Sequence, residues 1–289
     1  MGCGNFCALD SCFCGYDKSD VVVVPVPVEL TSTYGSGSKY GPKAIIDASG
    51  NMELYDEETG VNPCESGIHT FDDVRGEDAL KAVERVVKKV LTDGKFPVVL
   101  GGEHSVSLGA IRACAWKYRK ISVLHIDAHA DLRDEYRGSK YNHACVMRRG
   151  FEVSGHVVAV GIRSMCEEEK EFIDDKRMQV FYAKDVVNGR EWVSKAVDLL
   201  RDNVYVTLDA DALDPSVMPA TGTPEPGGLS YYDVISLLKE AAKKRNIVGF
   251  DVVEVAPIEN ILFPQYTAAR IAYKLLAYRE FYGKCTKKQ

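Results

Sequence analysis

No apolar stretch of this 289-residue chain is long enough to cross a bilayer, since a spanning helix needs about 20 such residues. The strongest candidate, residues 21–28, is short and interrupted by Pro25 and Pro27, so it reads as the first core strand. Basic clusters are missing too, and the formal net charge of −6 argues against nucleic acid or an anionic membrane as a partner. The start of the chain lacks the basic segment and apolar stretch of a secretory signal, which makes the cytosol the expected compartment. A disulfide framework is also absent. The nine cysteines are odd in number and irregularly spaced, and only Cys3, Cys7, Cys12 and Cys14 lie close together. That cluster fits zinc spacings poorly. Residues 1–19 are therefore expected to form a Cys-rich, loosely structured leader, followed by one folded domain over 20–289.

What is present is a regular alternation of strand-like and helix-like segments, in a chain whose 46% hydrophobic content can bury a full core. Apolar runs at 21–28, 96–100, 121–126, 156–161, 178–182, 204–208 and 247–253 read as strands. Over residues 78–91, Leu80, Val83, Val87, Val90 and Leu91 form one stripe with lysines opposite, which is the pattern of an amphipathic helix. Further helices are expected at 42–48, 105–117, from 167 onward, and at 191–200, 231–244 and 264–282. Strands alternating with helices imply a single α/β domain, with a parallel sheet flanked by helices on both faces.

Three of the strand-like runs end in chemistry. Residues 96–100 deliver Gly101-Gly102-Glu103-His104-Ser105, residues 121–126 deliver Asp127-Ala128-His129-Ala130-Asp131, and residues 204–208 deliver Asp209-Ala210-Asp211. In open α/β sheets, ligands bind at the carboxyl ends of the strands. In the second motif the polar groups recur at every other position, so an extended backbone would turn all three the same way. Four aspartates and two histidines meeting there would repel one another unless cations lay between them. Oxygen-rich ligands with some imidazole suit hard or borderline divalent ions, and six such groups are enough for two. The residues alone therefore point to a two-metal hydrolase. Glu103 reads as a supporting or capping group rather than a ligand, and His125, on the side of Asp127 but deeper in the strand, mainly as a packing residue.

The same motifs closely resemble those of the ureohydrolases, a family that includes arginases and agmatinases. The resemblance runs from about Val21 to Tyr282. It is carried by the motifs above together with Leu208 to Pro215, Ala220 to Leu229 and Gly249 to Pro257, while Thr31 to Tyr34 and Gly41 to Ile45 look like the family's amino-terminal substrate loop. It implies an eight-stranded parallel sheet, a dinuclear manganese centre, and cleavage of a guanidine to urea and an amine. His104 and Asp131 would hold one manganese, His129 and Asp211 the other, and Asp127 and Asp209 would bridge both. Glu254 would pair with the guanidinium. His143 would move the proton to the leaving amine, a task suited to imidazole. Thr223 would lie near the substrate. Homotrimers or homohexamers are also implied.

Departures from the arginase pattern bear on the substrate. Ser139-Lys140-Tyr141-Asn142-His143 stands where arginases carry a loop for the amino-acid head, and Cys166 stands where they carry an aspartate for the α-ammonium. Glu225, in Pro224-Glu225-Pro226, resembles the agmatinase form and could face a distal ammonium. These features favour agmatine, giving putrescine and urea, over arginine or guanidinobutyrate, with aminopropylagmatine as the near alternative. A non-catalytic binding protein on the same fold would be expected to have lost a ligand, His143 or Glu254. None is lost.

Overall fold

The computed structural model describes residues 4–76, 78–186 and 189–286, the side chains of 284–286 excepted. Cys3 lies outside the described residues, as does the side chain of Cys285. Eight parallel strands form one sheet in the order β2-β1-β3-β8-β7-β4-β5-β6. They are β1 Val21–Val26, β2 Ile68–Thr70, β3 Phe96–Gly101, β4 Ile121–Ile126, β5 Val157–Ile162, β6 Gln179–Tyr182, β7 Asn203–Asp209 and β8 Asn246–Val253. The central strands are buried on both faces, so they read as continuous apolar runs rather than alternating ones. Alternate residues still go to opposite faces. Val23, Val98, Leu100, Leu124, Val206 and Phe250 meet the helices Gly41–Ser49, Glu191–Asp198, Tyr231–Lys244 and Phe263–Thr286. Val22, Val24, Val99, Val123 and Tyr205 meet Ala79–Thr92, Ser107–Lys117 and Val146–Ser154. Among the described residues, no helix is long and apolar enough to cross a membrane.

Several elements were not foreseen from the sequence, among them a strand and a helix packed on the sheet. Strand β2 is three residues long, too short to show a period. The helix Val146–Ser154 has nine residues, and its apolar stripe is interrupted by Arg148, Arg149 and Gly150.

The leader differs from the loosely structured segment expected. Phe6 is fully buried and Cys7 and Leu9 nearly so, in the cluster that contains Ile45, Ile46, Met52 and Ile68. The backbone is anchored as well, because the amide of Phe6 donates to Thr70 Oγ1 at 2.8 Å and that of Cys7 to Ser49 Oγ at 2.7 Å. The reason is that the edge strand and the helix Gly41–Ser49 leave apolar surface that the leader covers. Phe6→Ala should lower unfolding stability by about 3–5 kcal/mol, the usual cost of emptying a buried phenylalanine site. A denaturant midpoint equal to that of the parent protein would show that this contact contributes nothing.

Candidate metal centre and active site

The four central strands β3, β8, β7 and β4 are neighbours, and each ends in one of the groups singled out from sequence. His104 follows β3, Glu254 follows β8, Asp209 closes β7 with Asp211 two residues on, and Asp127 follows β4. The chain passes from β3 to β4 over two places that β7 and β8 fill later. Groups up to 150 residues apart in the chain thus converge at one edge of the sheet.

His104 Nδ1 lies 3.1 Å from Asp127 Oδ2, 3.1 Å from Asp131 Oδ2 and 3.3 Å from Asp209 Oδ2. It is buried, yet it has no hydrogen-bond partner among the described residues. Its other nitrogen is fixed. Nε2 lies 2.8 Å from Thr207 Oγ1, and that hydroxyl donates to Asp251 Oδ1 at 2.7 Å. A hydroxyl has one proton to give, so Thr207 accepts from Nε2–H, and in the neutral imidazole Nδ1 is then a lone pair. A lone pair surrounded by three carboxylate oxygens is repulsive by itself and suits a cation placed among them. The second group is similar, with His129 Nδ1 3.0 Å from Asp211 Oδ2 and 3.7 Å from Asp127 Oδ1. Asp127 belongs to both groups, as a bridging carboxylate would. His125, whose Nε2 is 2.7 Å from Asp127 Oδ2, joins the first group. The residues present fit a pair of divalent ions.

Electrostatics give the same answer. Burial would lower His104, but Asp127, Asp131 and Asp209 beside it hold it well above its ordinary value. His129 is pushed up to about 12, against the effect of burial, by Asp127 and Asp211. Asp209 is raised well above the carboxylate range by burial and by the charges of Asp211 and Asp127, and Asp211 is raised by burial and Asp127. Asp127 is held well below its ordinary value by His125 and His104, which outweigh its burial. Without cations, some carboxylates here favour the protonated form while the imidazoles favour the charged one. Bound cations remove that conflict.

The cluster opens into a cavity of about 240 Å³ whose lining includes His143, Thr223 and Glu254. Glu254 has left-handed backbone, φ +62°, a conformation uncommon outside glycine and concentrated at functional sites. Its Oε1 accepts the His104 amide at 2.7 Å, and burial pushes its carboxyl up to about 8. Thr223 Oγ1 donates to Asp211 Oδ2 at 3.1 Å. Asp131 also departs from expectation. Its φ is +55°, so the alternating motif does not stay extended, and the chain bends past Ile126 to bring Asp131 back to His104.

Glu225 and Cys166 do not line this cavity. The Glu225 carboxylate lies 3.9 Å from His129 Nε2. The Cys166 amide donates to Glu169 Oε2 at 2.8 Å at the start of the helix Glu167–Lys176.

Arg163, which sequence reasoning passed over, donates to the carbonyls of Gly161, Asp211, Ala212, Leu213, Glu225 and Pro226. It ties the Asp211 turn to the Glu225 loop. Thr207 and Asp251 were missed as well. The available signal was a polar group in a buried strand two positions before Asp209, on the same face.

The arginase family model matches residues 19–277. The chain belongs to the arginase family. It is 36% identical over 275 residues to the N(1)-aminopropylagmatine ureohydrolase of Synechocystis sp., covering 91% of this chain and 90% of the relative. To the agmatinase of Pyrococcus horikoshii it is 34% identical over 264 residues, with coverages of 89% and 91%. The crystal structure of the agmatine ureohydrolase of Thermoplasma volcanium superposes with a TM-score of 0.85 at 38% identity, over 93% of each chain. The arginase-family chain is thus a ureohydrolase with a His/Asp cluster able to hold metal.

Proposed function

We propose that this ureohydrolase is a dimanganese enzyme that cleaves agmatine to putrescine and urea, a step of polyamine synthesis in the cytoplasm. The observation that carries the reading is that a half-buried Glu254 and the His/Asp cluster line one cavity together with His143. His104 and Asp131 would hold one ion, His129 and Asp211 the other, with Asp127 and Asp209 shared. When bound, such ions lower the pKa of water toward about 7 and so supply hydroxide near neutrality. The protein's own groups do the rest. Glu254 pairs with the guanidinium in this reading, and a cation beside it would favour its charged form. Thr223 orients Asp211 at the edge of the same space. His143 delivers a proton to the departing amine. Aminopropylagmatine is the second reading, favoured by the relative of that name in Synechocystis sp.. A homotrimer or homohexamer is the assembly we expect.

Urea release from agmatine by manganese-loaded protein tests this reading, and a protein that binds agmatine without releasing urea would be a binding module. His143→Asn should keep its metal yet slow turnover by about 10²–10⁴-fold, the usual range for losing a general acid. Loss of metal in that variant would mean that His143 has been misassigned.

A further inference from the structure

The loop that follows β1 reaches the cavity through a buried carboxylate. Gly102 makes the approach possible, since a Cβ there would lie 2.1 Å from the carbonyl oxygen of Val28. The Glu103 amide donates to that same carbonyl at 2.8 Å. The Glu103 side chain is fully buried. Its Oε2 accepts the amides of Leu30 at 2.5 Å and Thr31 at 2.6 Å, while Oε1 accepts the hydroxyls of Thr31 at 3.0 Å and of Ser105. Four donors fill the roughly four lone-pair sites of an ionised carboxylate. Glu103 has nothing to donate in return, so the Thr31 hydroxyl spends its single proton on Glu103.

That leaves Thr31 Oγ1 with two lone pairs, and both are directed at His143. The backbone amide of His143 donates to Oγ1 at 3.0 Å, and its ring Nδ1 lies 3.0 Å from the same oxygen. With its proton already committed, Thr31 can only accept from the ring. The bond is satisfied only when Nδ1 carries hydrogen. An imidazole with hydrogen on Nδ1 has its exchangeable lone pair on Nε2.

We propose that Thr31, held by Glu103, is a positioning residue for proton transfer: it fixes His143 in the Nδ1–H tautomer, so that Nε2 is the atom that takes up and releases the proton. This deepens the reading of His143 given above and rests on it for its consequence in turnover. The tautomer itself does not depend on that reading.

Thr31→Val keeps the volume and removes the acceptor, while Thr31→Ser keeps the acceptor. Turnover of agmatine should fall by about 10–100-fold in Thr31→Val, because a misoriented imidazole spends most of its time in an unproductive state. KM should stay within about threefold and metal content should be unchanged, whereas Thr31→Ser should recover to within about threefold of the parent kcat. Nitrogen NMR of the protein loaded with a diamagnetic divalent ion reads the tautomer directly. The six histidines are few enough for the His143 signal to be assigned by its loss in His143→Asn. Hydrogen on Nδ1 in the parent, and its redistribution to Nε2 in Thr31→Val, are the expected results. The proposal is overturned by an Nε2–H tautomer in the parent, by a Thr31→Val enzyme with unchanged kcat, or by a Thr31→Ser enzyme as slow as Thr31→Val. Full activity of His143→Asn alongside an Nδ1–H parent would instead overturn the catalytic role of His143 and leave the tether standing.

Discussion

Asp209→Asn should bind no more than one manganese per chain where the parent binds two, and its turnover should fall on the order of 10⁴-fold. The size follows from the several kcal/mol that metal ions contribute to reactions of this type. The substitution keeps the volume and removes one charge from the centre of the cluster. Asp209 Oδ2 is 3.3 Å from His104 Nδ1, and its Oδ1 accepts the Asp211 amide at 2.9 Å. The amide side chain could still accept that backbone bond, so the turn around Ala210 should survive. What is lost is the anionic oxygen among the ligands. Stability should move in opposite directions with and without metal. Burial and the charges of Asp211 and Asp127 raise Asp209, so its ionised form destabilises the metal-free fold above the ordinary carboxylate pKa. Near neutrality, the metal-free variant should therefore unfold at a higher temperature than the metal-free parent, and the metal-loaded variant at a lower one. Elemental analysis and thermal unfolding with manganese or chelator measure both. Two tightly bound ions per variant chain would sink the bridging role of Asp209.

Agmatine should be turned over with a kcat/KM about 10⁴-fold above that of arginine, because burying a charged group without partners costs on the order of several kcal/mol. The loop that precedes His143 spends its polar groups on itself. Asn142 is buried and its side-chain oxygen accepts the Ala144 amide at 3.0 Å, Ser139 Oγ accepts the Tyr141 amide at 3.1 Å, and Lys140 pairs with Asp134 at 3.1 Å. Arg133 is the cation in the lining outside the histidines, and its guanidinium is stacked 4.8 Å from the Tyr136 ring centroid. A carboxylate entering here would be desolvated against Glu169 and Glu254, which line the same cavity. Agmatine, aminopropylagmatine, guanidinobutyrate and arginine should be compared at one manganese loading. If arginine proved the best of them, the substrate assignment would be wrong and the metal chemistry could stand. If aminopropylagmatine won, only the named substrate would change. Because Glu225 does not line the cavity, Glu225→Gln should leave this ranking unaltered.

The sequence by itself determined the parallel α/β sheet, because strands buried on both faces must be continuous apolar runs and each was bounded by turn-forming residues. It also pointed to a His/Asp cluster at the ends of the central strands. Asp and His at alternate positions after such runs have few other uses, and their placement at strand ends follows from the runs themselves. Tertiary structure decided which strands became neighbours. Nothing local in residues 96–101 or 246–253 specifies that β3 and β8 pair, yet that pairing brings Glu254 to the His104 amide. It also decided the fate of the leader, since the burial of Phe6 depends on apolar surface left by segments 40 to 60 residues away. The partners of single polar atoms were decided there too. Thr207 behind His104, Asp251 behind Thr207, and Glu103 behind Thr31 and His143 are hydrogen bonds between distant elements, and a hydrogen bond needs a fixed distance and direction that sequence spacing does not carry across a loop. Glu225 is a further case. Arg163 holds the carbonyls of Glu225 and Pro226, a tie that local spacing does not show, and the Glu225 carboxylate comes to lie 3.9 Å from His129 Nε2.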